Sequence, residues 1–207
     1  DEDSLSERLE TKSAAPRGHL AVGKPPRLSN FTDFSALSRV PGVGVRYADR
    51  PARLEGADLI ILPGTKSTIA DLRWLRESGM EAQILKAHAA GTPVFGICGG
   101  YQMMGRTIRD PHHVESDTAT MPGLGLLPVE TVLTGEKVTR QIRFTLPGHD
   151  RTGSAYEIHM GRTAPLPGYA AKPLADLTDG TRDGCVAGKC MGTYLHGIAD
   201  SPLFLDR

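Results

Sequence analysis

No surplus of charge of either sign is present: 24 Lys and Arg stand against 24 Asp and Glu in 207 residues. The chain therefore has no overall positive field with which to hold nucleic acid or an anionic membrane surface. The partners expected are small molecules or protein. Cysteine is sparse and odd in number, Cys98, Cys185 and Cys190, in a chain too long to need disulfides. That usage suits a reducing, cytoplasmic compartment. The N-terminus, Asp1-Glu2-Asp3-Ser4-Leu5, has neither an apolar signal core nor an initiating methionine. What is present, 39% apolar and 23% charged residues, is the ordinary composition of a globular domain, and neither disorder nor a membrane span is expected.

Residues 1–18 are polar. They read as a linker from an absent upstream domain, with a short helix over Ser4–Ser13 stopped by Pro16 and Gly18. Residues 19–207 read as one domain, cut before its last helix, because an apolar pattern is just starting at Ser201–Arg207. In between, short apolar runs alternate with helical patterns. Strands are expected at His19–Val22, Val43–Tyr47, Asp58–Leu62 and Val94–Ile97, helices at Ile69–Arg76 and Met80–Ala90, and a helix or turn at Phe31–Leu37. Such alternation gives βαβ units and a parallel sheet with helices on both faces. "DLIIL" and "PVFGI" are apolar on both sides, as central parallel strands are. Beyond Pro111 the runs at Gly125–Leu133, Arg140–Leu146, Ala155–Met160 and Cys185–Lys189 predict an antiparallel extension.

Within Pro93–Met104, "PVFGICGGYQMM", three glycines crowd one cysteine, and glycine weakens regular structure by roughly 0.5–1 kcal/mol per position. A strand followed by Gly96-Ile97-Cys98-Gly99-Gly100 and a helix fits the nucleophile elbow, a sharp turn that exposes a reactive side chain. Cys98 would lie at a helix N-terminus, which favours thiolate. The N–H groups of Gly99 and Gly100 would face an oxyanion. The bland alternative is an inert, buried thiol. A second loop, Leu62–Thr68, also follows an apolar strand. Because ligands of open α/β sheets bind beyond the strands' carboxyl ends, Gly64 can bring another N–H to the same carbonyl.

A thiolate mechanism needs a base. His196 in "GTYLHG" sits where a short β run meets a glycine turn, and His159 in "YEIHMG" is the runner-up; His112 and His113 read as solvent-exposed and His88 as a helix-surface residue. Gly18–Pro25, "GHLAVGKP", resembles a phosphate loop, but Pro25 replaces the hydroxyl residue that would bind Mg²⁺, so no ATP site is read there. Cys185 and Cys190 lack zinc-ligand spacing and read as core or surface thiols, and no metal site is expected.

"IILPG", "GICGGYQ" and "GTYLHG", in that order, resemble the triad-type glutamine amidotransferase domain of the cobyric acid synthase and cobyrinic acid a,c-diamide synthase group. "EDSLSERLE", "RLSNFTDF", "LPGTKSTIADLRWLRESG", "GLGLLPVET", "KVTRQI" and "YEIHMGRT" extend the similarity to the cobyric branch over nearly the whole chain. The resemblance implies a flavodoxin-like class I glutamine amidotransferase fold. It also implies glutamine hydrolysis through a cysteine thioester, with Cys98 as nucleophile, His196 as acid/base and Gly64 and Gly99 at the oxyanion. Arg140 and Gln102 would bind the substrate, the former as a fork on the α-carboxylate. It implies no cofactor in this domain. ATP and Mg²⁺ would belong to an upstream synthetase domain of the same polypeptide, which amidates corrin carboxylates with the ammonia.

One departure stands out. Where the wider family has His-x-Glu, His196 is followed by Gly197 and Ile198, so a Cys98–His196 dyad is expected, with Glu157 and Asp200 as weak substitutes for the third member. Three alternatives remain at this level: cobyrinic acid diamidation, cell-wall glutamate amidation, and a non-catalytic elbow-cysteine module for interaction or redox sensing. "SNFTDF" and "EDSLSERLE" argue against the first two, and the joint presence of Cys98, Arg140 and His196 against the third.

Overall fold

The computed structural model describes residues 18–29, 31–169 and 171–201. The linker, the helix expected at Ser4–Ser13 and most of Ser201–Arg207 lie outside the described residues.

The first half of the chain folds as its alternating pattern predicts. Strands β1 (Gly18–Gly23), β2 (Val43–Ala48), β3 (Leu59–Leu62) and β4 (Val94–Ile97) are joined, after β3, by helices α1 (Thr68–Glu77) and α2 (Met80–Ala89). A short helix α3 (Gly99–Met104) follows β4 directly. The Phe31–Leu37 stretch becomes two single 3₁₀ turns, Phe31–Phe34 and Leu37–Arg39. The stretch that resembled a phosphate loop is mostly strand β1 and pairs in parallel with β2 and β3.

Strands β5 (Thr107–Arg109), β6 (Thr120–Pro122), β7 (Val129–Thr145), β8 (Gly153–Pro165), β9 (Ala175–Leu177), β10 (Arg182–Asp183), β11 (Cys185–Ala187) and β12 (Cys190–Thr193) form the second half. The first sheet has the order β11-β12-β4-β3-β1-β2, parallel except for the edge strand β11. The remaining strands make a separate, largely antiparallel sheet, β10-β9-β7-β5-β6, with β8 paired to β7. The antiparallel extension is thus a second sheet, and the chain crosses between the two at Asp183-Gly184-Cys185. The runs expected as two strands, at 125–133 and 140–146, are largely one strand, β7, which continues through an irregularity between Val132 and Lys137.

Burial explains the central position of β3 and β4. Ile60, Ile61, Leu62, Val94, Phe95 and Ile97 are each at most 1% exposed. Each such side chain contributes about 1.5–3 kcal/mol through its removal from water. Helix α3 packs on β3, β4 and β12. It can do so only because Gly100 lacks a side chain: a Cβ there would collide with the Leu62 carbonyl oxygen.

Candidate active site

At the end of β4 the backbone turns sharply. Cys98 has φ 52° and ψ −113°, the left-handed side of backbone space that side-chain-bearing residues avoid. The turn is held by Cys98 N–H donating to the Thr193 carbonyl at 2.8 Å, and by the Gln102 N–H bond to the Cys98 carbonyl at 3.0 Å. It also requires Gly96, where a Cβ would lie 2.6 Å from Met104 Sδ and 2.7 Å from Tyr101 N. The glycines therefore make room for the elbow, as the sequence suggested. Cys98 is only 8% exposed, and its Sγ donates weakly to the Ile158 carbonyl at 3.5 Å.

His196, fully buried, comes to Cys98 from the turn after β12 and hydrogen-bonds it. Its backbone exchanges two hydrogen bonds with Tyr156 of β8, and its ring stacks on Tyr156 with centroids 5.0 Å apart. Nδ1 faces Asp33 Oδ2 at 2.7 Å. The other Asp33 oxygen accepts the Gly197 N–H at 3.1 Å. Asp33 is 2% exposed and lies in the Phe31–Phe34 turn, which packs against the Ile198–Asp200 turn. A carboxylate 163 residues upstream thus faces the imidazole, where the sequence offered only Glu157 and Asp200. Neither expected substitute takes that place: Glu157 is engaged by Arg140, and Nδ1 of His196 already faces Asp33 rather than Asp200.

Burial disfavours a protonated His196, but the hydrogen bonds to Asp33 and Cys98 and the charges of both outweigh it, raising its pKa to about 9. The imidazole therefore lies between the Asp33 carboxylate, which faces its Nδ1, and Cys98. His159, the runner-up, is half-buried. Its ring stacks on Tyr194 at 3.8 Å, its Nδ1 meets the Gly161 carbonyl at 3.2 Å, and burial lowers its pKa.

Gly64 lies against both reactive groups: a Cβ there would be 3.2 Å from His196 Cε1 and 3.7 Å from Cys98 Cβ. Gly99 opens α3, where the first N–H groups lack intrahelical acceptors. The loop that carries Gly64 is pinned by buried Asp71, which accepts Thr65 Oγ1 at 2.5 Å and Arg27 Nη1 at 3.3 Å. Backbone bonds from Ser29 N–H to the Gly64 carbonyl and from Lys66 N–H to the Arg27 carbonyl, both 3.0 Å, add a second anchor.

Cys98 opens on a cavity of about 540 Å³ lined also by Thr68, Gln102, Glu115, Lys66, Lys137 and His159. Gln102 reaches it but is fully committed: Oε1 accepts Thr68 Oγ1 at 2.8 Å, and Nε2 donates to the Met160 carbonyl and Tyr194 Oη at 2.9 and 3.1 Å. Arg140 is not brought there. It lines a neighbouring cavity of about 650 Å³, with Nε on Glu157 and Nη1 on Asp179 at 2.5 Å. Residues three apart on a strand point to opposite sides, so Lys137 enters the Cys98 cavity where Arg140 does not. Glu115 was unmarked in the sequence. It is set by a loop whose N–H groups at Val114, Glu115 and Ser116 converge on Asp110, and it caps α1 by accepting the Ile69 N–H at 3.1 Å. Burial raises its pKa. Cys185 and Cys190 are buried core thiols, and burial pushes both up, Cys190 to about 11.

The fold is that of the glutamine amidotransferases. A crystal structure of a glutamine amidotransferase superposes with a TM-score of 0.68 at 22% identity, covering 90% of this chain and 95% of that one. The PurLQS structure from Thermotoga maritima gives 0.63 at 18% identity, covering 86% and 87%. At such identities the likeness is one of fold. The chain belongs to the CobB/CobQ-like glutamine amidotransferase domain family, whose model matches residues 19–204. It is 51% identical to a cobyric acid synthase of Phocaeicola vulgatus, over 91% of this chain and 38% of that protein. It is 49% identical to one of Bacteroides fragilis, over 100% and 42%. The chain thus spans about two fifths of the length of these curated relatives. Among the described residues no helix is long and apolar enough to cross a membrane.

Proposed function

We propose that this chain hydrolyses glutamine through a γ-glutamyl thioester on Cys98 and supplies the ammonia to an ATP-dependent amidation of corrin carboxylates in cobalamin biosynthesis. The observation that carries the reading is the line Cys98–His196–Asp33, with Gly64 against both reactive groups and Gly99 opening the helix that follows Cys98.

The Cys98 thiolate attacks the side-chain amide carbon, and the developing oxyanion meets the N–H groups of Gly64 and Gly99. His196, protonated and steadied by Asp33, gives its proton to the departing nitrogen, so the C–N bond breaks and ammonia leaves. The neutral imidazole then takes a proton from water as its oxygen attacks the thioester carbon. Glutamate is released, and the proton returns the pair to thiolate and imidazolium. At the other end of the substrate, Glu115 faces the α-ammonium and Lys137 the α-carboxylate, with Gln102 as a rigid wall held by its own hydrogen bonds. Arg140 acts from the neighbouring cavity, by holding Glu157.

The corrin chemistry belongs to an upstream domain that would precede the linker at 1–18, bind ATP and Mg²⁺, and receive ammonia from residues 19–207 in the cytoplasm. This assignment is supported by the cobyric acid synthase relatives, which are more than twice the length of the segment that they share with this chain. Release of glutamate from isotopically labelled glutamine tests the glutaminase half. Hydrolysis by the intact chain that vanishes in Cys98→Ser supports it, and equal hydrolysis by both would refute it.

A further inference from the structure

A buried carboxylate outside the reacting line ties its two halves together. Asp183, 6% exposed, sits where the chain leaves the antiparallel sheet for the parallel one. Its Oδ2 accepts the hydroxyl of Thr193, and its Oδ1 accepts the Tyr194 N–H at 3.2 Å. Thr193 is fully buried and stands at a junction. Its carbonyl accepts the Cys98 N–H at 2.8 Å, and its hydroxyl oxygen accepts the Leu195 N–H at 3.0 Å. The hydroxyl has one proton, and Asp183 takes it, which frees the oxygen's lone pair for Leu195. From one side chain, bonded contacts thus run to the elbow that carries the nucleophile and to the turn that carries the base.

We propose that Asp183 is a positioning residue, which sets the spacing between the Cys98 elbow and the His196 turn without touching the substrate. The proposal rests on the glutaminase reading of the same site. A structural carboxylate in an apolar crossing is costly to bury, and burial raises Asp183 to about 6 even against its hydrogen bonds from Thr193 and Tyr194. Two apolar residues would join the sheets at less cost. The bonds to Thr193 and Tyr194 are what the carboxylate adds.

The test uses Asp183→Asn, Thr193→Val and Thr193→Ser in the full chain. Glutamine hydrolysis is measured per active site, with Cys98 titrated by a diazoketone glutamine analogue, so that misfolded molecules drop out. A displacement of about 1 Å between reacting groups can cost on the order of 10²-fold in rate. Asp183→Asn and Thr193→Val should each lose about that much in kcat, with KM little changed. Thr193→Ser, which keeps the hydroxyl, should stay near the parent. The Asp183→Asn and Thr193→Val double variant should be no worse than either single one, since both break one network. The rate of Cys98 alkylation by iodoacetamide should fall in the same two variants. That arm needs no glutamine turnover. If the parent alkylates fast but hydrolyses nothing, the glutaminase reading fails and this arm alone judges Asp183. Parent-like kcat and alkylation in folded Asp183→Asn, or a double variant that shows the summed loss, would overturn the proposal.

Discussion

In the proposed reaction, Asp33 is the residue that holds the acid–base group, through its contact with His196 Nδ1. Replacement by Asn keeps an acceptor for the Gly197 N–H but removes the charge that holds the imidazolium. Loss of effective acid–base help should lower glutaminase kcat by roughly 10²–10⁴-fold, with KM for glutamine nearly unchanged. Circular dichroism would confirm that the variant is folded, and a folded Asp33→Asn with parent-like turnover would return the site to a dyad. The same pair fixes a pH effect. The pKa of His196 is raised from 6.5 to about 9, so its stabilising contribution is complete below the unfolded value and disappears as pH rises through the folded one. The melting-temperature advantage of the parent over Asp33→Asn should therefore be larger near about pH 7 than near about pH 10.

At the substrate end, Lys137 and Arg140 separate cleanly. Lys137→Ala should raise KM for glutamine by roughly 10-fold or more with less effect on kcat, since it removes a contact common to ground and transition states. Arg140→Ala should do less, as its guanidinium is occupied by Glu157 and Asp179 outside the Cys98 cavity. A larger KM effect at Arg140 than at Lys137, in steady-state assays of both, would reverse the assignment.

Among the elements, the contact of α3 with β3 is the least forgiving. At Gly100 a Cβ would drive into the Leu62 carbonyl, and the backbone cannot step aside without moving the elbow. Gly100→Ala should destabilise by on the order of 1–3 kcal/mol or more. In the β7–β8 region Gly135 has open space around it, and Gly135→Ala should stay within about 0.5 kcal/mol of the parent. Chemical denaturation of the two variants would compare these sites. Equal stability would mean that the elbow is softer than its packing implies.

Over the whole molecule, the legible parts were those with local signals. Apolar runs such as Ile60–Leu62 and Val94–Ile97 announce buried parallel strands, and a cysteine among glycines announces a turn, because each signal lies within one element. The residues that the fold assembles from afar were not legible in the same way. Asp33 is one acidic residue among 24 Asp and Glu, and only the packing of its 3₁₀ turn against the Ile198–Asp200 turn brings it to His196. Nor could spacing show that Lys137, not Arg140, enters the Cys98 cavity, because that depends on the register of β7 past its irregularity with β8. Asp183 was hidden for a similar reason, since its partners Thr193 and Tyr194 lie at the end of a strand of the other sheet and just beyond it.

The most direct measurement on the central claim is acid quench of the chain during turnover of glutamine, followed by peptide mass mapping. The account predicts a γ-glutamyl adduct on the peptide that contains Cys98 and none on those that contain Cys185 or Cys190. An adduct on either of those two cysteines, or steady release of glutamate with Cys98 unmodified throughout, would contradict it.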